Sequence, residues 1–152
     1  MTIELTLAKP RDLELLLPLV RAYHEFEAID STAAGRESAI GRLLGDASLG
    51  GIWLISSDGA LCGYIALCRG FSIEFDGFDA FVDEFYLLPE FRGRGIGGLA
   101  LEEIKAKARA LDINALHLEV ARDNERARRL YRAAGFEPRD RYLLMSAVLV
   151  RK

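Results

Sequence analysis

Glycines and arginines in the middle of the chain could bind an anion. Four glycines, at positions 93, 95, 97 and 98, and two arginines, at positions 92 and 94, follow an apolar stretch from Val82 to Leu88. Glycine allows a ligand to approach the main chain closely, and the first N–H groups of a helix have no acceptor within that helix. Arginine adds permanent positive charge. The segment therefore predicts a turn that opens a helix and binds phosphate.

Other phosphate-binding motifs share some of these letters. Gly93, Gly95 and Gly98 fit the G-x-G-x-x-G pattern of dinucleotide-binding folds, and Glu119 lies about 20 residues further on. That fold needs several more strand and helix units, but only 54 residues follow Gly98. A Walker loop is excluded because no Gly-Lys-Ser/Thr sequence ends the turn. A nucleotide-dependent oxidoreductase fragment and a plain strand-to-helix turn remain as alternatives.

Two blocks of sequence resemble the GNAT superfamily of acetyl-CoA-dependent N-acetyltransferases. The first is the pattern R-x-x-G-x-G from Arg92 to Gly97, after a strand that contains D-E-F-Y-L. The second, from Leu118 to Phe136, has a strand, an Asn, a short helix carrying Leu-Tyr, and then Gly-Phe. The resemblance covers about residues 81–136. It implies an acyltransferase enzyme that uses acetyl-CoA as co-substrate and no metal.

The resemblance also implies where the cofactor binds. In the family, two parallel strands splay apart at a bulge, and the pantetheine arm lies between them against the main chain of the earlier strand. The pyrophosphate lies over the glycine turn. The implied cofactor-binding residues are Phe85, Leu87, Arg92, Gly93, Arg94, Gly95, Ile96, Gly97, Gly98, Asn124 and Tyr131. Capping of the next helix would explain Asn124 equally well.

Acetyl transfer to an amine needs a group that accepts a proton. An amine with a pKa of about 10 is mostly protonated at neutral pH, and only its free lone pair attacks a thioester. The candidate bases are Glu84, slightly favoured, and Glu119, which matches a proposed base in enzymes that modify protein N-termini. Strand alternation predicts that Asp83 and Glu84 face opposite sides. A structural ion pair is the alternative for each carboxylate.

The departing thiolate needs a proton in return. Tyr131 occupies the position of the general acid in the resembled family, and a phenol is well matched to that task. Aromatic packing on the sheet is the alternative. Tyr23, His24 and Glu27 lie where the family has its acceptor-site loop, and together with Asp83 they are the candidate substrate-binding residues.

The function that the resemblance implies is direct transfer of an acetyl group, in a ternary complex, to the primary amine of a small molecule. Neither Cys62 nor Cys68 lies in the motifs, so an acetyl-cysteine intermediate is not expected. The alternatives are acetylation of protein N-termini or lysines, and a CoA-binding sensor with little turnover.

Charge is distributed unevenly along the chain. Residues 1–91 contain 6 Lys/Arg and 15 Asp/Glu, whereas residues 92–152 contain 14 and 8, which gives net charges of −9 and +6. A basic half suits a polyanionic cofactor, and an acidic half suits a cationic amine. The overall charge of −3 argues against a nucleic-acid partner.

Composition indicates one globular domain over residues 1–152. Half of the residues are hydrophobic (51%), and no apolar stretch approaches the roughly 20 residues that span a bilayer. We therefore expect a cytoplasmic protein without a membrane partner. The two cysteines are expected to be core residues and not a disulfide or metal site.

Periodicity predicts alternating strands and helices. The pattern favours an α/β protein with a mixed sheet, mostly antiparallel, with one parallel pair of strands and helices on both faces. The resemblance implies that this is the GNAT type of fold, in which the parallel pair is splayed. The resemblance implies a homodimer, because domains of this family often extend a sheet or exchange the last strand. An interior position of that strand is the alternative. The strands predicted around the site and at the end of the chain are Phe81 to Leu88, Ala115 to Val120, and Tyr142 to Val150.

Overall fold

The computed structural model describes residues 1–150, which form a five-stranded sheet flanked by four helices. The strands are ordered β1-β2-β3-β4-β5, and every neighbouring pair is antiparallel except β4 and β5, which are parallel. The α/β fold with one parallel pair is therefore confirmed. In chain order the elements are β1 (Ile3–Leu7), α1 (Leu13–Phe26), α2 (Ala33–Gly45), β2 (Gly50–Ser57), β3 (Ala60–Ser72), β4 (Gly77–Leu87), α3 (Ile96–Ala110), β5 (Ile113–His117) and α4 (Glu125–Ala133), with short 3-10 turns at Pro10–Asp12 and Pro89–Phe91.

Apolar side chains cover both faces of the sheet. On one face, Leu101 and Ile104 of α3 pack with Ile65 of β3, and all three are fully buried. On the other face, Leu16 of α1 packs with Tyr64 of β3. The helices therefore lie on both faces, and each presents an apolar stripe to the sheet.

The parallel pair is short. β5 pairs only with Phe78–Phe81 of β4, although the sequence predicted a strand as far as Val120. Residues 118–120 leave the sheet, and no strand lies beside the second half of β4 on that edge. The two strands thus splay apart, and a gap opens between them.

A β-bulge lies at Asp83. Ala66 pairs with Glu84 and Leu67 pairs with Val82, so Asp83 is the extra residue on β4. Val82 belongs to the apolar cluster under α3, whereas Tyr86 belongs to the cluster on the opposite face. Residues four apart in a regular strand would share a face. The predicted alternation of Asp83 and Glu84 is therefore interrupted.

The prediction of a last strand from Tyr142 to Val150 is wrong. Tyr142–Val150 has no regular secondary structure, and its large side chains are exposed. A strand needs a neighbour for its main-chain hydrogen bonds, and this segment has none within residues 1–150. None of the helices within residues 1–150 is long and apolar enough to cross a bilayer.

Candidate active site

The turn between β4 and α3 presents free main-chain donors. Among residues 1–150, no acceptor binds the backbone N–H groups of residues 93–98, whereas those of Phe91 and Arg92 bond within the preceding turn. Gly93 and Gly95 have φ values of 75° and 82°, in the left-handed region that favours glycine. Six successive amides at a helix N-terminus form a cradle with the chemistry to hold phosphate oxygens.

Gly97 has a packing role. A Cβ atom there would lie 3.3 Å from Cδ2 of Leu130 and 3.7 Å from Cδ1 of Leu87. This glycine therefore lets α4 approach α3 closely, in addition to leaving its N–H free. The sequence pattern had assigned it to ligand access alone.

Three arginines surround the turn. The Nε of Arg92 donates to the carbonyl oxygen of Leu87 at 2.9 Å, and its guanidinium stacks over the rings of Phe26 and Tyr86. Arg94 stacks over Phe91 and is exposed. An Nη2 atom of Arg126 lies 3.4 Å from where a Cβ on Gly93 would be. Arg126 was not predicted, although it lies in the arginine-rich second block.

A cavity of about 410 Å³ lies in the gap where β4 and β5 splay apart. It is lined by carboxylates and tyrosines, and by apolar side chains of β4 and of the residues that follow β5. The lining residues are Tyr23, Glu27, Ile29, Phe81, Val82, Asp83, Phe85, Leu118, Glu119, Val120, Ala121 and Tyr131. The predicted acid, one predicted base and three of the four predicted substrate-binding residues therefore meet in one place.

Tyr131 is partly buried against the core and packs edge-to-face on Phe136. Burial, and secondarily the charge of Glu27, raises the pKa of Tyr131 to about 12. The phenol is therefore protonated throughout the neutral range. It can donate a proton from the cavity wall.

Glu84 lies behind the cavity and does not line it. Its Oε1 accepts a hydrogen bond from the Tyr64 hydroxyl at 2.9 Å, and its Oε2 lies 2.6 Å from Nε2 of His24. Its side chain is 18% exposed. His24 thus contacts a predicted base and does not line the cavity. Tyr64, the other partner of Glu84, was not predicted, because it belongs to an apolar strand and is fully buried.

The carboxylates near the bulge help to raise the pKa values of a neighbouring thiol and a neighbouring phenol. Burial first, and then the charges of Asp83 and Glu84, raise the pKa of Cys68 to about 11. Burial, Glu27 and Glu84 raise the pKa of Tyr23. Each of these groups stays neutral because its anion would be desolvated beside existing negative charge.

Asn124 caps α4, since its side chain accepts a hydrogen bond from the N–H of Ala127 at 3.2 Å. Both cysteines are free, and no cluster of potential metal ligands occurs within residues 1–150.

The model of the acetyltransferase (GNAT) family matches residues 17–136. The chain belongs to this family. The proteins of this family are acetyltransferases that use acetyl-CoA.

Relatives of this GNAT acetyltransferase match parts of its sequence. YycN of Bacillus subtilis strain 168, an uncharacterized N-acetyltransferase, is 37% identical over 62 residues, which are 41% of this chain and 40% of YycN. The chain spans about half the length of the curated relatives it matches.

Solved structures match the whole GNAT domain. The integron cassette protein HFX_CASS3, from the mobile metagenome of Cole Harbour Salt Marsh, has a TM-score of 0.84 and 33% identity over 97% of this chain and 91% of its own. A predicted acetyltransferase of Clostridium acetobutylicum, solved with acetyl-CoA, has a TM-score of 0.77 and 18% identity over 95% and 96% of the two chains. At 18% identity, the match to the Clostridium acetobutylicum protein shows a shared fold alone.

Proposed function

We propose that this enzyme transfers the acetyl group of acetyl-CoA directly to a primary amine of a small molecule. The observation that carries the proposal is the cavity between β4 and β5, where Tyr131 meets the carboxylates of Glu27, Asp83 and Glu119. Three carboxylates suit a cationic acceptor, because their negative charges balance the positive charge of an ammonium ion when it leaves water for the cavity. A cavity of this size is at the small end of those that hold small molecules.

The free amides of residues 93–98 support the cofactor assignment. They follow the short turn after β4, the strand that forms one wall of the cavity. A diphosphate held there would direct the thioester along the splayed edge of β4, past Phe85 and Leu87, toward Tyr131. The basic second half of the chain favours the same polyanion.

The proposed chemistry moves three protons. The ammonium of the acceptor gives one proton to Glu119, and its nitrogen then bonds to the acetyl carbon. The bond between that carbon and sulfur breaks, and the thiolate takes the phenolic proton of Tyr131. The new amide nitrogen then gives up its surplus proton to the phenolate, which restores the phenol of Tyr131. A strand amide near Leu87 would stabilise the negative charge that develops on the acetyl oxygen.

We assign proton acceptance to Glu119 because it is exposed and lines the cavity, whereas Glu84 lies behind it. Asp83 and Glu27 bind the acceptor in this scheme, and Tyr23 forms the adjacent wall. Glu84 and His24 then hold α1 against β4 and so keep the acceptor residues in place.

The function is tested by thiol release from acetyl-CoA with a panel of amines. The panel contains diamines and polyamines, amino sugars and amino acid esters, with peptides that carry a free N-terminus or a lysine. We expect turnover with small cationic amines. Turnover with peptides only would indicate a protein acetyltransferase, and tight acetyl-CoA binding without any thiol release would indicate a sensor.

The base is tested with matched glutamine variants. Glu119→Gln should lower kcat/KM by about 10²-fold or more and remove the acidic limb of its pH profile. Glu102→Gln, on the exposed side of α3, serves as the control and should leave the profile unchanged. If Glu84→Gln removes the acidic limb and Glu119→Gln does not, the base is Glu84.

A further inference from the structure

A histidine and an aspartate form a pair on the sheet beside the acceptor cavity. His117 is the last residue of β5 and Asp79 lies on β4, and Nε2 of His117 is 3.1 Å from Oδ2 of Asp79. The two side chains are partly buried, with 19% and 18% of their surface exposed. Neither residue takes part in the proposed transfer, although His117 lies only two positions before Glu119.

Two phenylalanine rings pack against the imidazole of His117. The ring centroids of Phe75 and Phe81 each lie 5.3 Å from that of His117. Phe81 pairs with His117 across the parallel strands, and 40% of its surface is exposed. The faces of aromatic rings carry partial negative charge and attract cations. We call the four residues Phe75, Asp79, Phe81 and His117 the distal subsite.

The hydrogen-bond acceptors of the distal subsite lack donors. A carboxylate only accepts hydrogen bonds, so in the neutral imidazole Nε2 carries the proton and Nδ1 has a free lone pair. Within residues 1–150, no group donates to Nδ1 of His117 or to Oδ1 of Asp79. Oδ1 lies beside Gly70, the residue opposite Asp79 on β3, where a Cβ would be 2.8 Å away. The glycine therefore leaves this oxygen uncovered.

The distal subsite adjoins the acceptor cavity. Phe81 lines both that cavity and a neighbouring groove of about 860 Å³, which is also lined by Phe75 and His117. Glu119, the proposed base, lines both spaces as well. An extended chain rises about 3.3 Å per residue, so His117 and Glu119 are about 7 Å apart along it. A single small molecule can therefore reach both residues.

We propose that the acceptor is a diamine and that its second ammonium group binds in the distal subsite. This rests on the proposed function, since the first amino group has to lie between Glu119 and Tyr131 to be acetylated. An ammonium ion brings three donors and a positive charge. The distal subsite offers the lone pair of His117, the free oxygen of Asp79 and the faces of two rings. A hydroxyl group brings one donor and no charge, so it matches the subsite less well.

The charges around the distal subsite favour a bound cation. The guanidinium of Arg139 lies 5.7 Å from the ring centroid of Phe75, so this ring already faces one cation. The charge of Arg139 is balanced by Glu74, because Nη2 of the arginine is 2.9 Å from Oε2 of the glutamate. Within residues 1–150, Asp79 has no ion-pair partner other than His117, which is uncharged when neutral. A second ammonium group would supply the counterion of Asp79.

Matched acceptors test the second ammonium group. Thiol release from acetyl-CoA is measured with diaminobutane, aminobutanol and butylamine, and with the corresponding pentane series, so that the compounds of a series differ only at the far end. We expect kcat/KM for each diamine to exceed that for its alkylamine by about tenfold or more, with the aminoalcohol in between. The difference should lie in KM, because the distal group is bound equally in the ground state and in the transition state.

Two variants test the distal subsite itself. Asp79→Asn removes the charge, and Gly70→Ala places a methyl group against Oδ1 without changing any charge. Each should reduce the preference for a diamine over its alkylamine to about twofold or less. Asp76→Asn is the matched control, because it removes a carboxylate from the exposed turn before β4, and asparagine tolerates the φ of 60° there. This control should keep the full preference. Circular dichroism and Tm show whether each variant is folded.

The outcomes distinguish this proposal from the proposed function. Equal kcat/KM for alkylamines and diamines in the wild type would leave acetyl transfer to small amines intact and overturn the distal subsite. A preference that survives in both Asp79→Asn and Gly70→Ala would mean that the second ammonium group binds elsewhere, which overturns the proposal too. Lack of turnover with every small amine would overturn the proposed function, and the diamine proposal with it.

Discussion

The Nε2 atom of His24 lies 2.6 Å from Oε2 of Glu84, so α1 and β4 are joined by a contact between residues that are 60 positions apart. The chain of contacts continues from Nδ1 of His24 to Oγ of Ser31 at 2.7 Å, and Nη1 of Arg36 donates to the same hydroxyl at 2.9 Å. The end of α1 and the start of α2 are thereby tied to the bulged strand. Tyr23 and Glu27 lie before and after His24 in sequence. The contact between His24 and Glu84 therefore helps to hold both side chains in the cavity wall.

Removing the other partner of Glu84 should destabilise the fold. Tyr64→Phe leaves Oε1 of a partly buried carboxylate without its donor, which should lower the free energy of unfolding by about 1–3 kcal/mol. Urea denaturation measures this. A double-mutant cycle with Glu84→Gln is the control, and we expect a coupling energy above about 0.5 kcal/mol. Strictly additive effects would show that the contact adds nothing to stability.

Tyr131→Phe should abolish the proton donor and little else. We expect kcat to fall by about 10²-fold or more, while the Kd for acetyl-CoA stays the same because the ring is retained. Because the pKa of Tyr131 is raised to about 12, the phenol of the wild type keeps its proton well into the alkaline range. Stopped-flow and calorimetric measurements separate the two effects. An unchanged kcat across the pH range would remove Tyr131 from the mechanism.

Stability should decline at alkaline pH. The pKa of Cys68 is raised from 9.0 to about 11, and that of Tyr131 from 10.0 to about 12, so the folded state favours the neutral form of each group. A raised pKa contributes stability that is complete below the unfolded value and is lost as pH rises through the folded value. The free energy of unfolding should therefore fall between about pH 9 and 12.

Two variants identify the groups responsible for this decline. Cys68→Ser should make the slope shallower mainly between about pH 9 and 11, and Tyr131→Phe between about pH 10 and 12. Urea denaturation at a series of pH values gives the slopes. If both variants follow the wild-type curve, these two groups do not control alkaline stability.

Two glycines allow binding to be separated from strain. Gly95 in the phosphate turn and Gly59 in the turn between β2 and β3 have φ values of 82° and 84°, and a Cβ on either would meet nothing within 4 Å. Alanine at each should therefore cost a similar amount, about 1 kcal/mol. Gly95→Ala should also weaken acetyl-CoA binding by about tenfold, which is about 1.4 kcal/mol, whereas Gly59→Ala should not. Equal affinities in calorimetry would place the cofactor elsewhere.

The sequence allowed the fold to be predicted where local signals are strong. The hairpin at Ser57-Asp58-Gly59, the glycine turn before α3 and the cap at Asn124 each depend on residues close in the chain, and the structure has all three. The family resemblance placed Tyr131 and Glu119 in one site, and both line the cavity.

Other features depend on partners that sequence patterns do not reveal. The contact of Tyr64 with Glu84 joins two strands through a residue that belongs to an apolar run. The bulge at Asp83 carries no signature, because Asp-Glu fits a regular strand equally well. The segment from Tyr142 to Val150 has the composition of a strand, but forming one requires a neighbour that the rest of residues 1–150 does not supply.

The extra residue in β4 constrains how the gene can change. Because Asp83 stands outside the pairing, Phe85 and Tyr86 lie on the sides of the sheet that their partners on β3 set. Loss of this exposed aspartate would leave a regular strand in which Val82 and Glu84 keep their partners on β3. A codon deletion at this site would thus be less damaging than one at Phe85, which would move the residues beyond it to the opposite face.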